Sequence, residues 1–230
     1  MIQLFIVFHK NIFDYCYKNI PDEILNKYFT FIAVNKNIPK SYSNKYKVIN
    51  EWELPIYDNT FQERGYNENS AIYHVYVNNL HKPYKSIGFF QYDMVFNNLK
   101  IDSIDNSKVF YYKTYDFNYS SYVSWDEQNT LRFIIKDYES FYKQKFSKEK
   151  QYPLYNSYII PIETYEKIMK WVLQLYDKLY PWVNEPPNKT HIGHIGGIYE
   201  RIMGYAIAQE NLDQVLLNIT HNHSLKKLSY

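Results

Sequence analysis

The order of apolar and polar positions along the chain predicts short buried strands that alternate with amphipathic helices. A continuous apolar run over Ile2–Phe8 is typical of a central strand that is buried on both faces. Residues 29–34 (FTFIAV) predict a second strand, and residues 87–92 predict another one after a helix over residues 67–80. Apolar side chains recur at spacings of three and four over residues 162–179, so this segment predicts a helix that buries one face.

Weaker patterns predict the remaining elements. Residues 46–54 predict a third strand, residues 58–65 a polar loop, and residues 109–117 an edge strand. Two further short strands are expected over residues 156–160 and 215–219. The last of these is followed by a polar tail.

Helix signals complete the pattern. Ser124 caps a predicted helix with acidic residues in its first turn, and a further helix is expected over residues 198–209. Pro181, Pro186 and Pro187 predict a break in the chain. Strands that alternate with helices indicate an α/β fold, namely a three-layer domain with a mostly parallel central sheet flanked by helices. The length of 230 residues fits one such domain over residues 1–230.

Composition excludes several classes of protein. A net charge of +2 lacks the basic excess of nucleic-acid-binding proteins, so no nucleic-acid partner is expected. The one cysteine, Cys16, excludes an internal disulfide and a cysteine-rich metal site. The first ten residues lack the pattern of a secretion signal, and no apolar segment has the length of a membrane span. We therefore expect a cytoplasmic protein and leave open a peripheral association with membranes.

Asp93 is the first candidate for chemistry. The apolar strand of residues 87–92 passes through Gly88 and ends abruptly at this carboxylate. Ligands of α/β sheets bind at the carboxyl ends of the strands, where an aspartate can hold a divalent cation against a diphosphate. The alternative is an aspartate that only caps or salt-bridges a loop.

Histidines provide further candidate metal ligands. His221 and His223 alternate just after a predicted strand, so both side chains would point to the same side, and imidazole is a competent ligand for Mn²⁺. The alternative is a solvated tail. His191 and His194 extend the set towards a zinc site, but the spacing of the four histidines matches no specific zinc signature.

Two pairs of charged residues are candidates for substrate binding. His9 and Lys10 end the first strand, at the tip that often contacts a nucleotide in doubly wound folds. Glu200 and Arg201 lie together in the predicted helix over residues 198–209, where an acid and a base can orient a substrate and neutralise phosphate. The alternative for Glu200 and Arg201 is a pair of ordinary surface charges.

Three segments, taken together, resemble a family of bacterial capsular-polysaccharide glycosyltransferase-like domains that was formerly a domain of unknown function. The segments are FIVFHKN, then ENSAIYHVYVNN…YKSIGFFQYD, and then NSYIIPIETYEKIMKWVLQLYDKL…IGGIYERIMGYAI. The positions that match the family's pattern are His9, Lys10, Glu68, Gly88, Tyr92, Asn156, Gly196 or Gly197, Glu200 and Arg201. The resemblance covers most of the chain. It implies a GT-A-like (Rossmann-like) fold, a nucleoside-diphosphate sugar as donor and a glycan or glycosylated molecule as acceptor.

The chain departs from that family at one informative place. The family usually has His-Tyr-Arg-Arg after the glycine strand, and this chain has Gln91, Tyr92, Asp93 and Met94. Two basic residues that would neutralise a diphosphate are missing and an acid stands there instead. We therefore hypothesise a divalent metal, Mn²⁺ or Mg²⁺, at Asp93. Further ligands would come from His221 and His223, with Asp102 and Asp105 as additional candidates.

The leading interpretation is a glycosyltransferase of polysaccharide or glycoprotein glycan synthesis. In it, His9, Lys10, Tyr92 and Asp93 contact the nucleotide and the diphosphate. Glu200, Arg201 and Glu68 act at the transferred sugar or the acceptor, with Glu68 or Glu200 as the base of an inverting reaction. One alternative is a non-catalytic protein that binds carbohydrate or nucleotide sugar on the same scaffold. Another is a glycoside hydrolase, for which the sequence shows no convincing pair of opposed carboxylates.

Overall fold

A computed structural model describes residues 1–9, 11–36, 45–117, 125–184, 195–222 and 224, with the backbone alone for residues 125–128. The strands are β1 Ile2–Phe8, β2 Phe29–Ala33, β3 Val48–Asn50, β4 Ser86–Gln91, β5 Met94–Phe96, β6 Val109–Tyr111, β7 Thr114–Asp116, β8 Gln151–Pro153, β9 Tyr158–Pro161, β10 Gln214–Leu216 and β11 Ile219–His221. The helices are α1 Asp14–Tyr17, α2 Asp22–Tyr28, α3 Thr60–Glu63, α4 Glu68–Val77, α5 Trp125–Tyr142, α6 Ile162–Asn184 and α7 Ile195–Gln209.

Seven of these described strands form one sheet in the order β10-β6-β9-β4-β1-β2-β3. Strand β9 runs antiparallel to its neighbours β4 and β6, and all other neighbouring strands of this sheet are parallel. The carboxyl ends of six strands and the beginning of β9 therefore meet at one edge. We refer to this edge as the carboxyl edge.

Strand β1 explains how the sheet separates two layers of core. Phe5 and Val7 belong to one buried cluster, which also contains side chains of α4, α6 and α7. Leu4, Ile6 and Phe8 belong to a second cluster, which contains side chains of α1 and α2. Because successive side chains of a strand point to opposite faces, an apolar run without alternation is needed where both faces are covered. The predicted three-layer α/β fold with a mostly parallel sheet is confirmed.

Gly88 is required by the closeness of the central strands. A Cβ atom at this position would lie 2.8 Å from Leu4 Cδ2 and 2.9 Å from Ile159 Cγ1, on the strands that flank β4. A side chain therefore does not fit unless the side chains of Leu4 and Ile159 are displaced. The glycine in the strand that leads to Asp93 thus has a packing cause.

Several local predictions were wrong or incomplete. Residues 58–65 contain the short helix α3 rather than only a loop. Residues 109–117 form two strands, and the first of them, β6, lies inside the sheet between β10 and β9 rather than at an edge. Residues 215–219 contribute to two strands, β10 and β11, rather than one. The strands involved have three residues each, which is too short to give a readable periodicity.

Pro181 does not break the chain where the sequence suggested. Helix α6 includes it and continues to Asn184. Proline in a helix removes one hydrogen bond and crowds the preceding turn. Here the last turn is stabilised from outside, since Leu179 and Val183 on either side of the proline are buried in the core. Across the described helices, none combines the length and the apolar character needed to cross a membrane.

Candidate functional site

Strands β1 and β4 bring the first candidate residues together at the carboxyl edge. The two strands are parallel neighbours, with Val7 opposite Gln91, so His9 after β1 lies beside Tyr92 and Asp93 after β4. The rings of His9 and Tyr92 are 6.0 Å apart and nearly perpendicular. Lys10 lies outside the described residues.

Asp93 is held by the strand pair β5–β11. Strand β5 starts directly after Asp93 and pairs antiparallel with β11, which places His221 opposite Met94. The Nε2 atom of His221 lies 2.8 Å from Oδ2 of Asp93, and the two side chains are only 5% and 2% exposed. The backbone N–H of Asn222 also donates to the Asp93 carbonyl. His221 therefore belongs to a buried pair and not to a solvated tail, whereas His223, like His191 and His194, lies outside the described residues.

The second carboxylate oxygen of Asp93 can still accept a hydrogen bond or bind a ligand. Oδ1 is buried and accepts no hydrogen bond from the described residues. A buried carboxylate oxygen without a donor is unfavourable unless a ligand completes it. In an octahedral site with metal–ligand bonds of about 2.1 Å, adjacent ligand atoms lie about 3 Å apart, and the 2.8 Å between His221 Nε2 and Asp93 Oδ2 is close to that separation. The pair therefore fits as two neighbouring ligands of a divalent cation.

The described residues do not complete a metal site by themselves. Within them, no group of three or more His, Cys, Asp or Glu side chains is arranged to hold a metal ion. Asp102 accepts a hydrogen bond from the Tyr28 hydroxyl, and Asp105 accepts two from Ser107 in its own loop. Any further ligands therefore have to come from a substrate, from water or from residues outside the described part.

His9 pairs with Glu68, the first residue of α4. Its Nε2 atom lies 3.1 Å from Glu68 Oε1. Burial opposes a positive charge on His9, but the hydrogen bond to Glu68 and the negative charges of Glu68, Glu51 and Asp93 together raise its pKa above 6.5. The imidazole therefore keeps a positive charge further into the neutral range than an ordinary histidine.

Glu200, on α7, interacts electrostatically with Glu68 and His221. Its Oε1 atom accepts a hydrogen bond of 3.0 Å from the backbone N–H of Tyr155. Burial is the largest cause that raises the pKa of Glu200 to about 7, and repulsion by Glu68 adds to it, while the Tyr155 N–H, Arg201 and His221 act in the opposite direction. A carboxyl group with this pKa exchanges its proton near neutrality. Arg201 Nη1 itself donates to the Gly197 carbonyl one turn earlier in α7.

A chain of asparagine contacts fixes α7 relative to α4 and β9. Asn69 Nδ2 donates to the Gly196 carbonyl at 2.8 Å, and Asn156 Nδ2 donates to Asn69 Oδ1 at 3.3 Å. A Cβ atom on Gly196 would lie 2.8 Å from the Gly65 carbonyl oxygen, so glycine permits this close approach. Three segments that are distant in sequence are thus joined into one support for Glu68 and Glu200.

Sequence reasoning missed three residues at this edge. Glu51 follows β3 and contributes to the charge around His9. Tyr112 follows β6, and the rings of Tyr112 and Tyr155 lie 6.2 Å and 5.2 Å from the ring of His221. The one signal in the sequence was Asn156, a residue that favours turns, directly after Tyr155.

Comparison with known proteins identifies the fold alone. No protein-family model and no curated protein matches the chain. Among solved structures, the WbbM bifunctional glycosyltransferase in its apo structure is similar, with a TM-score of 0.63 and 14% sequence identity over 96% of this chain and 45% of that chain. This chain therefore spans less than half the length of that protein.

A second solved structure is more distant. The apo form of mouse xyloside xylosyltransferase 1 aligns with a TM-score of 0.40 and 12% identity over 94% of this chain and 84% of that chain, which is too low to support an argument. The mostly parallel α/β sheet with its flanking helices is nevertheless a fold that this chain shares with a solved glycosyltransferase.

Proposed function

We propose that this chain is a glycosyltransferase that moves a sugar from a nucleoside-diphosphate sugar to a hydroxyl of a glycan or glycosylated acceptor. The main observation behind the proposal is the buried Asp93–His221 pair at the end of a central strand. In this pair, Asp93 Oδ1 lacks a hydrogen-bond donor among the described residues. In open α/β sheets this edge is where ligands bind. A fold shared with a solved glycosyltransferase, and the resemblance of three segments to a glycosyltransferase-like family, support the same conclusion.

Asp93 and His221 are the residues that would hold a divalent cation, Mn²⁺ or Mg²⁺. One carboxylate and one imidazole suit Mn²⁺ in particular, and the phosphate oxygens of the donor complete such a coordination. The cation supplies charge neutralisation to the leaving diphosphate. It would replace the two arginines that the family resembled by the three segments usually has after this strand. His223 remains a proposed additional ligand.

His9, Lys10 and Tyr92 form the proposed donor side of the site. The raised pKa of His9 favours its protonated form, which attracts a diphosphate. Tyr92 is buried between the rings of His9 and Phe13, each about 6 Å away by centroid, so it supports the end of β1 against β4. These residues would fix the nucleotide beside Asp93.

Glu200 is the proposed general base for the acceptor hydroxyl. A base is most effective when its pKa lies near the working pH, and burial together with Glu68 raises the pKa of Glu200 to about 7. Glu68 is paired with His9, so its role is to orient His9 and to adjust Glu200. Arg201 would balance negative charge beside the transferred sugar. A base in this position implies inversion at the anomeric carbon, which NMR of the product can test.

A binding protein without catalysis is the second candidate. The observation that favours it is that the described residues supply only two metal donors. Such a protein would bind the nucleotide sugar or the glycan through the same edge and release no free nucleotide.

Thermal unfolding with a panel of nucleoside diphosphates and nucleotide sugars, with and without Mn²⁺, tests the proposal. A ligand present at about one hundred times its dissociation constant stabilises the native state by about 2.7 kcal/mol. We expect one nucleotide to stabilise the protein in a Mn²⁺-dependent way, and the matched variant Asp93→Asn to lose the Mn²⁺-dependent part. Release of free nucleotide from the donor then separates a transferase from a binding protein. If no nucleotide stabilises the protein, the proposal fails.

A further inference from the structure

We propose that the rings of Tyr112 and Tyr155 form the acceptor subsite, a platform against which one neutral pyranose ring of the acceptor glycan stacks. The inference rests on the proposed function, because it assigns the second substrate of the same site. Tyr112 directly follows β6, and Tyr155 lies in the turn between β8 and β9. Both therefore reach the carboxyl edge, Tyr112 from the end of its strand and Tyr155 from the turn that leads into the antiparallel strand.

The two rings surround the imidazole that pairs with Asp93. The ring of Tyr155 is 5.2 Å from that of His221, the ring of Tyr112 is 6.2 Å from it, and the two tyrosine rings are 6.0 Å apart. Both tyrosines are partly exposed, whereas His221 and Asp93 have buried side chains. The tyrosine rings therefore lie next to the buried pair and are themselves partly accessible to solvent.

The backbone at Tyr155 indicates that its side chain has a purpose beyond the turn. Tyr155 has a φ of 65° and Asn156 a φ of 43°, so two consecutive residues are left-handed. Turns of this kind favour Asn-Gly, and a bulky residue with positive φ is an outlier. Such strain is found preferentially at ligand sites. A sequence optimised for the turn alone would place Asn or Gly at residue 155.

The same residue also positions the proposed base. The backbone N–H of Tyr155 donates to Glu200 Oε1 at 3.0 Å, while its hydroxyl lies 3.1 Å from that of Tyr115. The ammonium group of Lys113 lies 5.0 Å from the centre of the Tyr115 ring, so Tyr115 serves as a support rather than as a platform. A sugar stacked on Tyr155 would therefore present its hydroxyls beside Glu200.

The chemistry of this subsite selects a neutral sugar. A pyranose has one face rich in C–H groups, which packs on an aromatic ring, and hydroxyls that bond to tyrosine and carboxylate oxygens. The carboxylates of Glu200 and Asp93 both lie next to this platform, the first on the N–H of Tyr155 and the second on the imidazole of His221. An acidic sugar would be repelled there.

Tyr155→Asn separates this role from a structural one. Asparagine tolerates the left-handed turn and keeps the N–H that bonds Glu200, so we expect an unfolding temperature equal to or above that of the wild type. The probes are the methyl β-glycosides of glucose, galactose, mannose and N-acetylglucosamine, titrated by saturation-transfer NMR. We expect at least one to bind the wild type and to lose about tenfold or more in affinity in the variant, as expected for the loss of one stacking contact.

Control variants sharpen the result. Tyr155→Phe keeps the ring and should retain the affinity for the glycoside, and Tyr115→Phe should do the same.

The outcomes distinguish the subsite from the transferase activity. Equal glycoside affinity in the wild type and Tyr155→Asn overturns the subsite, as does a wild type that binds none of the glycosides. A marked fall in unfolding temperature also overturns it, because the tyrosine is then structural. If Tyr155→Asn loses the glycoside binding of the wild type and neither protein binds a nucleotide, the subsite is supported and the glycosyltransferase proposal fails.

Discussion

Two histidine–carboxylate pairs in this molecule use the same chemical groups in different ways. Glu51 and His74 are fully buried, and His74 Nδ1 lies 2.7 Å from Glu51 Oε1. Asp93 and His221 are buried almost as completely and lie 2.8 Å apart. Neither burial nor distance separates the two pairs. They differ in what surrounds them.

Every polar side-chain atom of the Glu51–His74 pair has a hydrogen-bond partner. Glu51 Oε1 also accepts from the Ser70 hydroxyl at 2.5 Å, and its Oε2 accepts from Gln62 Nε2 at 3.0 Å. His74 Nε2 accepts the backbone N–H of Asp58, so the ring is neutral and its proton is on Nδ1, facing Glu51. Asp93 instead keeps one buried oxygen without a donor among the described residues. A pair whose hydrogen-bonding atoms are all satisfied stabilises the fold, whereas a pair with one unsatisfied oxygen can still bind a ligand.

The largest expected effect is that of Asp93→Asn on transfer. The substitution keeps the size of the side chain but removes the charge and one anionic oxygen, so we expect the transfer rate to fall by about 10³-fold, equivalent to about 4 kcal/mol of transition-state stabilisation. Stability should stay equal or rise, because an uncompleted buried charge is removed. Product formation and thermal unfolding measure the two effects. Unchanged Mn²⁺-dependent turnover would contradict the assignment.

The matched substitution Glu51→Gln should have the opposite result. Three hydrogen-bond donors face the carboxylate. The amide N–H groups of glutamine would point at some of these donors, which would then lack an acceptor. We expect a loss of about 3 kcal/mol in the free energy of unfolding, measured with urea. The activity per folded molecule should fall far less than in Asp93→Asn, because Glu51 acts on the site only through the charge that it places near His9. A stable Glu51→Gln protein without activity would erase the distinction between the pairs.

Glu200→Gln gives a smaller effect that depends on pH. The native state holds the Glu200 proton more tightly than the unfolded chain, because the pKa rises from 4.5 to about 7. Wild-type stability contributed by this group is therefore present at low pH and is lost as pH rises across this window, by at most about 3 kcal/mol. The variant should lack this dependence, so its advantage in urea unfolding should grow from about pH 4 to about pH 8.

The activity of Glu200 as a base provides an independent measurement. Wild-type kcat/KM should increase with pH, with a midpoint near 7, as the carboxyl group loses its proton. Glu200→Gln should be slower by about 10²-fold or more and should show no such midpoint. A wild-type rate that is independent of pH across this range would exclude Glu200 as the base.

The smallest effect is expected from Gln62→Ala. It removes one of the three side-chain donors to Glu51, and we expect a loss of about 1 kcal/mol in stability without a change in activity. The control is Gln151→Ala, since the side chain of the exposed Gln151 accepts a hydrogen bond from the Thr114 hydroxyl in an exposed contact, and its expected effect is below about 0.5 kcal/mol. Equal effects of the two substitutions would show that Glu51 does not depend on its full set of donors.

The strength of the local signal explains which features were predictable. Strand β1, the strand that leads to Asp93, and helix α6 have long apolar patterns, and the structure contains all three. The partner of Asp93 was not predictable as a contact. His221 lies in a three-residue strand and pairs across 128 positions of sequence, and neither β5 nor β11 is long enough to show periodicity.

Tyr155 shows a different obstacle. Its left-handed backbone follows from the way β8 and β9 diverge into different sheets, since β8 pairs with β7 and β9 with β4 and β6. Local propensity disfavours tyrosine in that conformation, so tertiary structure overrides it. The hydrogen-bond donors to Glu51, which come from α3 and α4, could not be predicted from the sequence either, because tertiary structure brings them together.

The pairing of β5 with β11 also has a consequence for biosynthesis. Translation proceeds at about 5–20 residues per second, so His221 is made about 6–25 s after Asp93, which precedes it by 128 positions. During that interval Asp93 lacks its imidazole and β5 lacks its partner strand. A nascent chain on the ribosome can therefore assemble much of the central sheet before the proposed metal pair exists, and gains that pair only when β11 has emerged.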